Sequence, residues 1–139
     1  MPKQLTHQLF TLIKSLSKAE KRNFSIYAKR NSVDKEMKFF VLFQALEGQL
    51  TYDEKKLLKK LTQTTKSQLS NLKSHLYDQI LVSLRLLKRK DDDIKLYETI
   101  GFAKLLFKKG LYLQSLAQLA KAKDSALNLQ QEIVLLEII

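Results

Sequence analysis

The chain has 139 residues, 45% of them hydrophobic, with one proline, three glycines, no cysteine and a formal charge of +11. That length suits one domain; the lack of cysteine excludes disulfides and thiolate zinc sites, and no apolar run is long enough to cross a bilayer. The charge is uneven: residues 1 to 47 carry +5, residues 48 to 90 carry +7 and residues 91 to 139 carry −1, which predicts a basic body joined to a nearly neutral end.

With so little Gly and Pro, and Leu, Lys, Gln and Ala abundant, helix is expected throughout. Leu5, Leu9, Leu12, Ile13 and Leu16 recur at spacings of three and four, predicting a first helix from Lys3 to Leu16. The same stretch lacks the apolar core and small-residue cleavage site of a secretory signal, so a cytoplasmic protein is expected. Ser17 and Glu20 have capping-box spacing and open a second helix, with Phe24, Tyr27 and Ala28 inward and Asn31 and Ser32 as its loop. Asp34 is expected to cap a third, strongly apolar helix through Met37, Phe39, Phe40, Leu42, Phe43 and Leu46, ended by Gly48 in the left-handed conformation. Thr51 and Glu54 repeat the capping-box spacing before a short helix carrying Leu57, Leu58 and Leu61, and TQTTKSQ reads as a loop.

The longest periodic element is expected from Ser67 to Leu87, on Leu69, Leu72, Leu76, Ile80, Leu84 and Leu87, with Tyr77, Leu81 and Val82 widening its apolar face. RKDDD then breaks the pattern, basic residues ending one helix and aspartates starting the next, as the helix dipole favours. Two further helices are expected over Ile94–Lys108 and Leu111–Leu127, and an eighth begins near Leu129. Its pattern is still apolar at Ile138 and Ile139, so this segment needs a cover, from this chain, from more residues of a longer protein, or from self-association through Ile133, Leu136 and Ile139.

Between Ile94 and Leu127 lies a helical hairpin with a definite grammar. Ala103 is small enough to let two helices approach, Gly110 permits the turn, Tyr112 stands at the elbow, and Ser115, Leu119 and Ala122 follow on the second helix. With Phe102 and Leu106 this resembles a tetratricopeptide repeat. Thr99, Ser115 and Leu127 depart from that pattern, standing where a large residue, an alanine and a proline are common. Phe102, Leu106, Leu116 and Leu119 are expected in the core under this reading and under that of a generic αα-hairpin. Over most of its length, through LIKSLSKAEKRNFSIYAKR, KFFVLFQAL, YDEKKLLKKL and LSNLKSHLYDQILVSLR, the chain also looks like the front of helical-repeat proteins of Bacteroidetes. These resemblances imply an all-α fold. Antiparallel helix pairs would form a short right-handed tetratricopeptide-like solenoid within a single helical domain over 1–139, made of an irregular basic helical cap over 1–90, a tetratricopeptide-like hairpin over 94–127 and the start of a further apolar helix over 129–139.

No catalytic, phosphate-loop or dinucleotide motif occurs. His7 and His75 lie on separate predicted helices, and DDD lacks the alternating oxygen ligands and glycine of a calcium loop. A non-enzymatic protein–protein interaction or assembly module without cofactor is therefore expected, with Lys95, Lys104 and Lys108 as contacts to an acidic partner. The rival is a basic helical nucleic-acid-binding module using Lys21, Arg22, Lys29 and Arg30, then Lys55, Lys56, Lys59 and Lys60, then Arg85, Lys88, Arg89 and Lys90. Against it, lysine outnumbers arginine 21 to 4, and arginine is the better planar reader of phosphates and bases. KEMKFFVLFQAL is also too apolar for a recognition helix.

Overall fold

The computed structural model describes residues 2–31, 38–61 and 64–139. All eight elements among them are helices: α1 (Pro2–Ser15), α2 (Lys18–Asn31), α3 (Lys38–Gly48), α4 (Glu54–Lys60), α5 (Lys66–Leu87), α6 (Asp92–Lys108), α7 (Tyr112–Asn128) and α8 (Glu132–Ile138). The chain forms two compact units, Met1–Leu87 and Lys88–Ile139. Ser32, Asp34, Met37, Thr62 and Gln63, to which the sequence assigns loop, cap and core roles, lie outside the described residues.

In the first unit α5 packs against α1, α2 and α3, and α3 packs against α1 and α4. Leu69, Leu76 and Ile80 are its buried ridge. Phe24 of α2 and Phe43 of α3 pack with ring centroids 4.7 Å apart and planes tilted by 56°, and Phe39 meets Phe24 edge-on at 6.3 Å. Two hydrogen bonds set the α2–α5 register: Tyr27 Oη donates to Gln79 Oε1 at 2.8 Å, and Asn23 Nδ2 to Ser83 Oγ at 3.4 Å. As the α2 number rises the α5 number falls, so the two helices run antiparallel. Leu81 and Leu87, expected on the inner face of α5, are 43% and 38% exposed. The true stripe is narrower and also contains Lys73 and Ser83.

The Ser17–Glu20 capping box forms: Ser17 Oγ accepts from the Glu20 amide at 3.1 Å, and Glu20 Oε1 accepts from the Ser17 amide at 2.8 Å. A second box opens α5 inside the supposed TQTTKSQ loop, with Thr65 and Gln68 exchanging bonds of 3.0 and 3.2 Å. Thr51 does not cap α4. Asp53 does, accepting from the Lys56 amide at 3.2 Å, because the Gln49 side chain clamps Asp53 by both its N–H and its carbonyl and holds it extended. Gly48 is likewise not left-handed but the last residue of α3. Two lysines serve that helix end instead: Lys14 Nζ donates to the Glu47 carbonyl at 2.8 Å, and Lys21 pairs with the Glu47 carboxylate at 3.5 Å.

The second unit packs α6 on α7 and α7 on α8 around Leu96, Ile100, Ala122, Ala126 and Val134. Its helices open at Asp92, Tyr112 and Glu132, twenty residues apart each time. Both connections are the same Schellman turn. After α6, the Leu111 amide donates to the Leu106 carbonyl at 3.0 Å and the Gly110 amide to Phe107 at 2.9 Å, with Gly110 at φ +81°. After α7, Gln131 donates to Ala126 at 2.9 Å and Gln130 to Leu127 at 3.2 Å, with Gln130 left-handed at φ 56°.

A side chain in that conformation is strained by about 1–2 kcal/mol, and a Cβ at Gly110 meets no neighbouring atom within 4 Å, so the cost there is purely backbone. Gly110→Val is expected to destabilise the second unit by about 1–2 kcal/mol. Gln130→Gly is expected to stabilise it by about 0.5–1 kcal/mol. Urea unfolding followed by circular dichroism reads both, and equal and like-signed effects would contradict the shared-turn geometry.

Candidate functional site

The second unit is organised by how closely α6 and α7 approach. Ala103 and Ala122 are 2% and 0% exposed, and the buried Ser115 hydroxyl donates to the Ala103 carbonyl at 2.7 Å. Small side chains at the contact leave the large ones elsewhere. Phe102 and Leu116, expected in the core, are 45% and 61% exposed, and Leu106 and Leu119 are only half-buried. Tyr112 stands at the elbow as expected but exposed, its ring edge-on to Phe107 at 5.2 Å.

Beside this contact lies a groove of about 320 Å³. Ile100, Ala103, Phe107, Leu119 and Ile138 give it an apolar lining, Ser115 also borders it, and the charges are Lys104 and Lys108 from α6 and Glu137 from α8. Lys104 and Lys108 stand one helical turn apart and are exposed. Lys95 belongs to a different groove, of about 430 Å³, whose lining alternates in sign through Asp92, Lys121 and Asp124. Of the three lysines assigned to an acidic partner, the structure thus brings two together and separates the third.

The basic clusters of the first unit spread along α5. The α2–α5 register places Arg22 at the Arg85 end, with Lys29 and Arg30 two turns further along α2. The start of α4 belongs to the other end, since Tyr52, next to the cap residue Asp53, accepts a hydrogen bond from Lys73, and Lys73 and Arg85 are about 18 Å apart along a helix rising 1.5 Å per residue. Lys55, Lys56, Lys59 and Lys60 are all exposed there. Lys21 is paired with Glu47, and Arg89 with Glu98 at 3.7 Å.

One polar cluster escaped the sequence reading. Lys73 is 6% exposed and donates to Thr6 Oγ1 at 3.0 Å and to Tyr52 Oη, its ammonium also lying 4.7 Å from the centre of the Tyr52 ring. It ties α1, the loop before α4 and α5 together. Its position shows in the spacing, four residues after Leu69 and three before Leu76, on a face where a charge is unexpected. Burial lowers the Lys73 pKa, partly opposed by Glu54. Burial and then Glu54 push the Tyr52 phenol up to about 12, against a hydrogen bond with Thr6. With its acceptors supplied from within the core, this lysine is a structural tie.

Asp91 stands at the cap of α6 and Asp93 Oδ1 accepts from the Ile94 amide at 2.9 Å. Among the described residues no group of three His, Asp or Glu side chains is placed to hold a metal ion, and no helix is long and apolar enough to cross a membrane. Comparison with protein-family models, with curated proteins and with solved structures returned no match.

The Lys73 cluster makes stability pH-dependent in two opposite senses. Because the folded Lys73 gives up its proton below 10.5, the folded state gains stability as pH rises toward that value. Because the folded Tyr52 holds its proton from 10 to about 12, stability falls again across that interval. Urea midpoints from pH 8 to 12 should show the rise vanish in Lys73→Met and the fall weaken in Tyr52→Phe. Tyr52→Phe should also cost about 1–3 kcal/mol near neutrality, by depriving a buried ammonium of an acceptor.

Proposed function

We propose that this chain is a non-catalytic module for protein–protein interaction or assembly, of helical-repeat type and cytoplasmic. The observation that carries the reading is the groove beside Ala103 and Ser115, an apolar lining with Lys104 and Lys108 at hand. Around it the second unit exposes large apolar side chains that ordinary solvated helices bury, among them Leu105 (60%), Phe107 (61%) and Leu113 (84%). A surface of this composition suits an amphipathic helix laid in a groove, anchored by apolar side chains and selected by carboxylates. In this reading α6, α7 and α8 are successive helices of a short right-handed, tetratricopeptide-like solenoid. Helix starts twenty residues apart give forty residues to a pair, against about 34 in the repeat it resembles.

A fluorescein-labelled amphipathic peptide, with leucines at helical spacing and glutamates along one edge, is the test ligand. It is expected to bind, and Lys104→Glu with Lys108→Glu to weaken it about tenfold. The same assay with a DNA duplex at two salt concentrations tests the rival. Duplex binding that falls steeply with salt, and is lost when Lys55, Lys56, Lys59 and Lys60 are made neutral, with no peptide binding, would replace this reading by the nucleic-acid one.

A further inference from the structure

We propose that the groove of the second unit is occupied by α8 of a second copy of this chain, the two α8 helices lying antiparallel about a twofold axis. This rests on the groove being a protein-binding surface, and it names the occupant.

The first argument is the two-sidedness of α8. Val134 is 2% exposed and Ile138 half-buried, both belonging to the core of the unit. On the opposite side Ile133, Leu136 and Ile139 are 83%, 75% and 81% exposed at a spacing of three. The second argument is charge. Among the described helices α8 alone carries acidic residues, Glu132 and Glu137, and no basic ones. The groove offers apolar lining with two cations, Lys104 and Lys108, against one carboxylate, Glu137, an excess of positive charge. Residues 91 to 139 sum to −1, so two such surfaces meet without the repulsion that the basic first units would generate.

The third argument is closure. Glu137 and Ile138 of a copy's own α8 line its groove, so a partner helix seated there lies alongside the resident α8, and the relation is reciprocal. Such an isologous contact fills both grooves in a single dimer. Antiparallel alignment brings Glu132 of each copy to the end where the other's Lys104, Lys108 and Glu137 lie. It also covers Ile133 and Leu136 of both copies.

Sedimentation velocity of the whole chain over a range of concentrations tests this directly. A monomer–dimer equilibrium is expected. Lys104→Glu with Lys108→Glu should weaken it about tenfold, and adding Glu132→Lys should recover most of that loss. Ile133→Asp with Leu136→Asp should leave a monomer. Every substituted side chain is exposed, so the helical circular-dichroism signal should be unchanged. A monomer at all concentrations, a dimer indifferent to the charge changes, an unrestored charge swap, or an open-ended assembly would each overturn the proposal. A monomer that still binds the acidic peptide through Lys104 and Lys108 overturns the second copy alone. A chain that neither dimerises nor binds the peptide overturns the protein-binding reading as well.

Discussion

The second unit depends on the contact in which the Ser115 hydroxyl meets the Ala103 carbonyl. Two helices that approach through alanine and serine gain one buried hydrogen bond, a net contribution of about 1 kcal/mol. They forgo most of what a leucine-lined interface supplies, about 0.8 kcal/mol for each buried methylene. The apolar residues displaced from that contact remain on the outside of α6 and α7. The small core and the large exposed apolar surface are therefore two results of one choice of side-chain size. A groove is the natural product of such an arrangement, because the helices leave space beside the line along which they touch.

The first unit is built on the opposite principle. Its core is filled by Phe24, Phe39, Phe40 and Phe43 against the leucine ridge of α5, and the buried Lys73 and Ser83 side chains on that ridge are hydrogen-bonded, while the Thr64 hydroxyl is buried without a partner. Lys73 occupies a site where a leucine would fit the pattern, and it persists because Thr6 and Tyr52 accept hydrogen bonds from its ammonium. The basic charge of this unit is carried largely by exposed side chains of α2 and α4, while Lys14 and Lys21 are drawn to the carboxyl end of α3. Part of the formal charge is thus absorbed in finishing helices.

Helix existence was legible in the sequence because apolar spacing and capping residues are local signals; Ser17 with Glu20 shows this best. Where two local signals compete, the longer-range contact decides. Thr51 and Asp53 both suit a cap, and the Gln49 side chain selects Asp53. Gly48 has the residue type of a left-handed terminus, yet cations from α1 and α2 satisfy that end without one. Gln130 is the converse case, a left-handed turn written without glycine, which residue type alone conceals. In the groove, Lys104 and Lys108 follow from helical spacing. The exposure of Phe102 and Leu116 does not, because periodicity reports which residues share a face and not which face meets a partner.

The division of labour between the units also has a kinetic side. In the second unit the packed helices are neighbours in sequence, α6 with α7 and α7 with α8. In the first, Thr6 meets Lys73 across 67 residues, Asn23 meets Ser83 across 60 and Tyr27 meets Gln79 across 52. Loop closure of that length slows folding, whereas local contacts form early. The helical hairpin is thus the fast-forming part, able to expose its apolar surface while the aromatic core upstream is still assembling. Two refolding phases, with only the slower one sensitive to Phe43→Leu, are the signature this topology should leave.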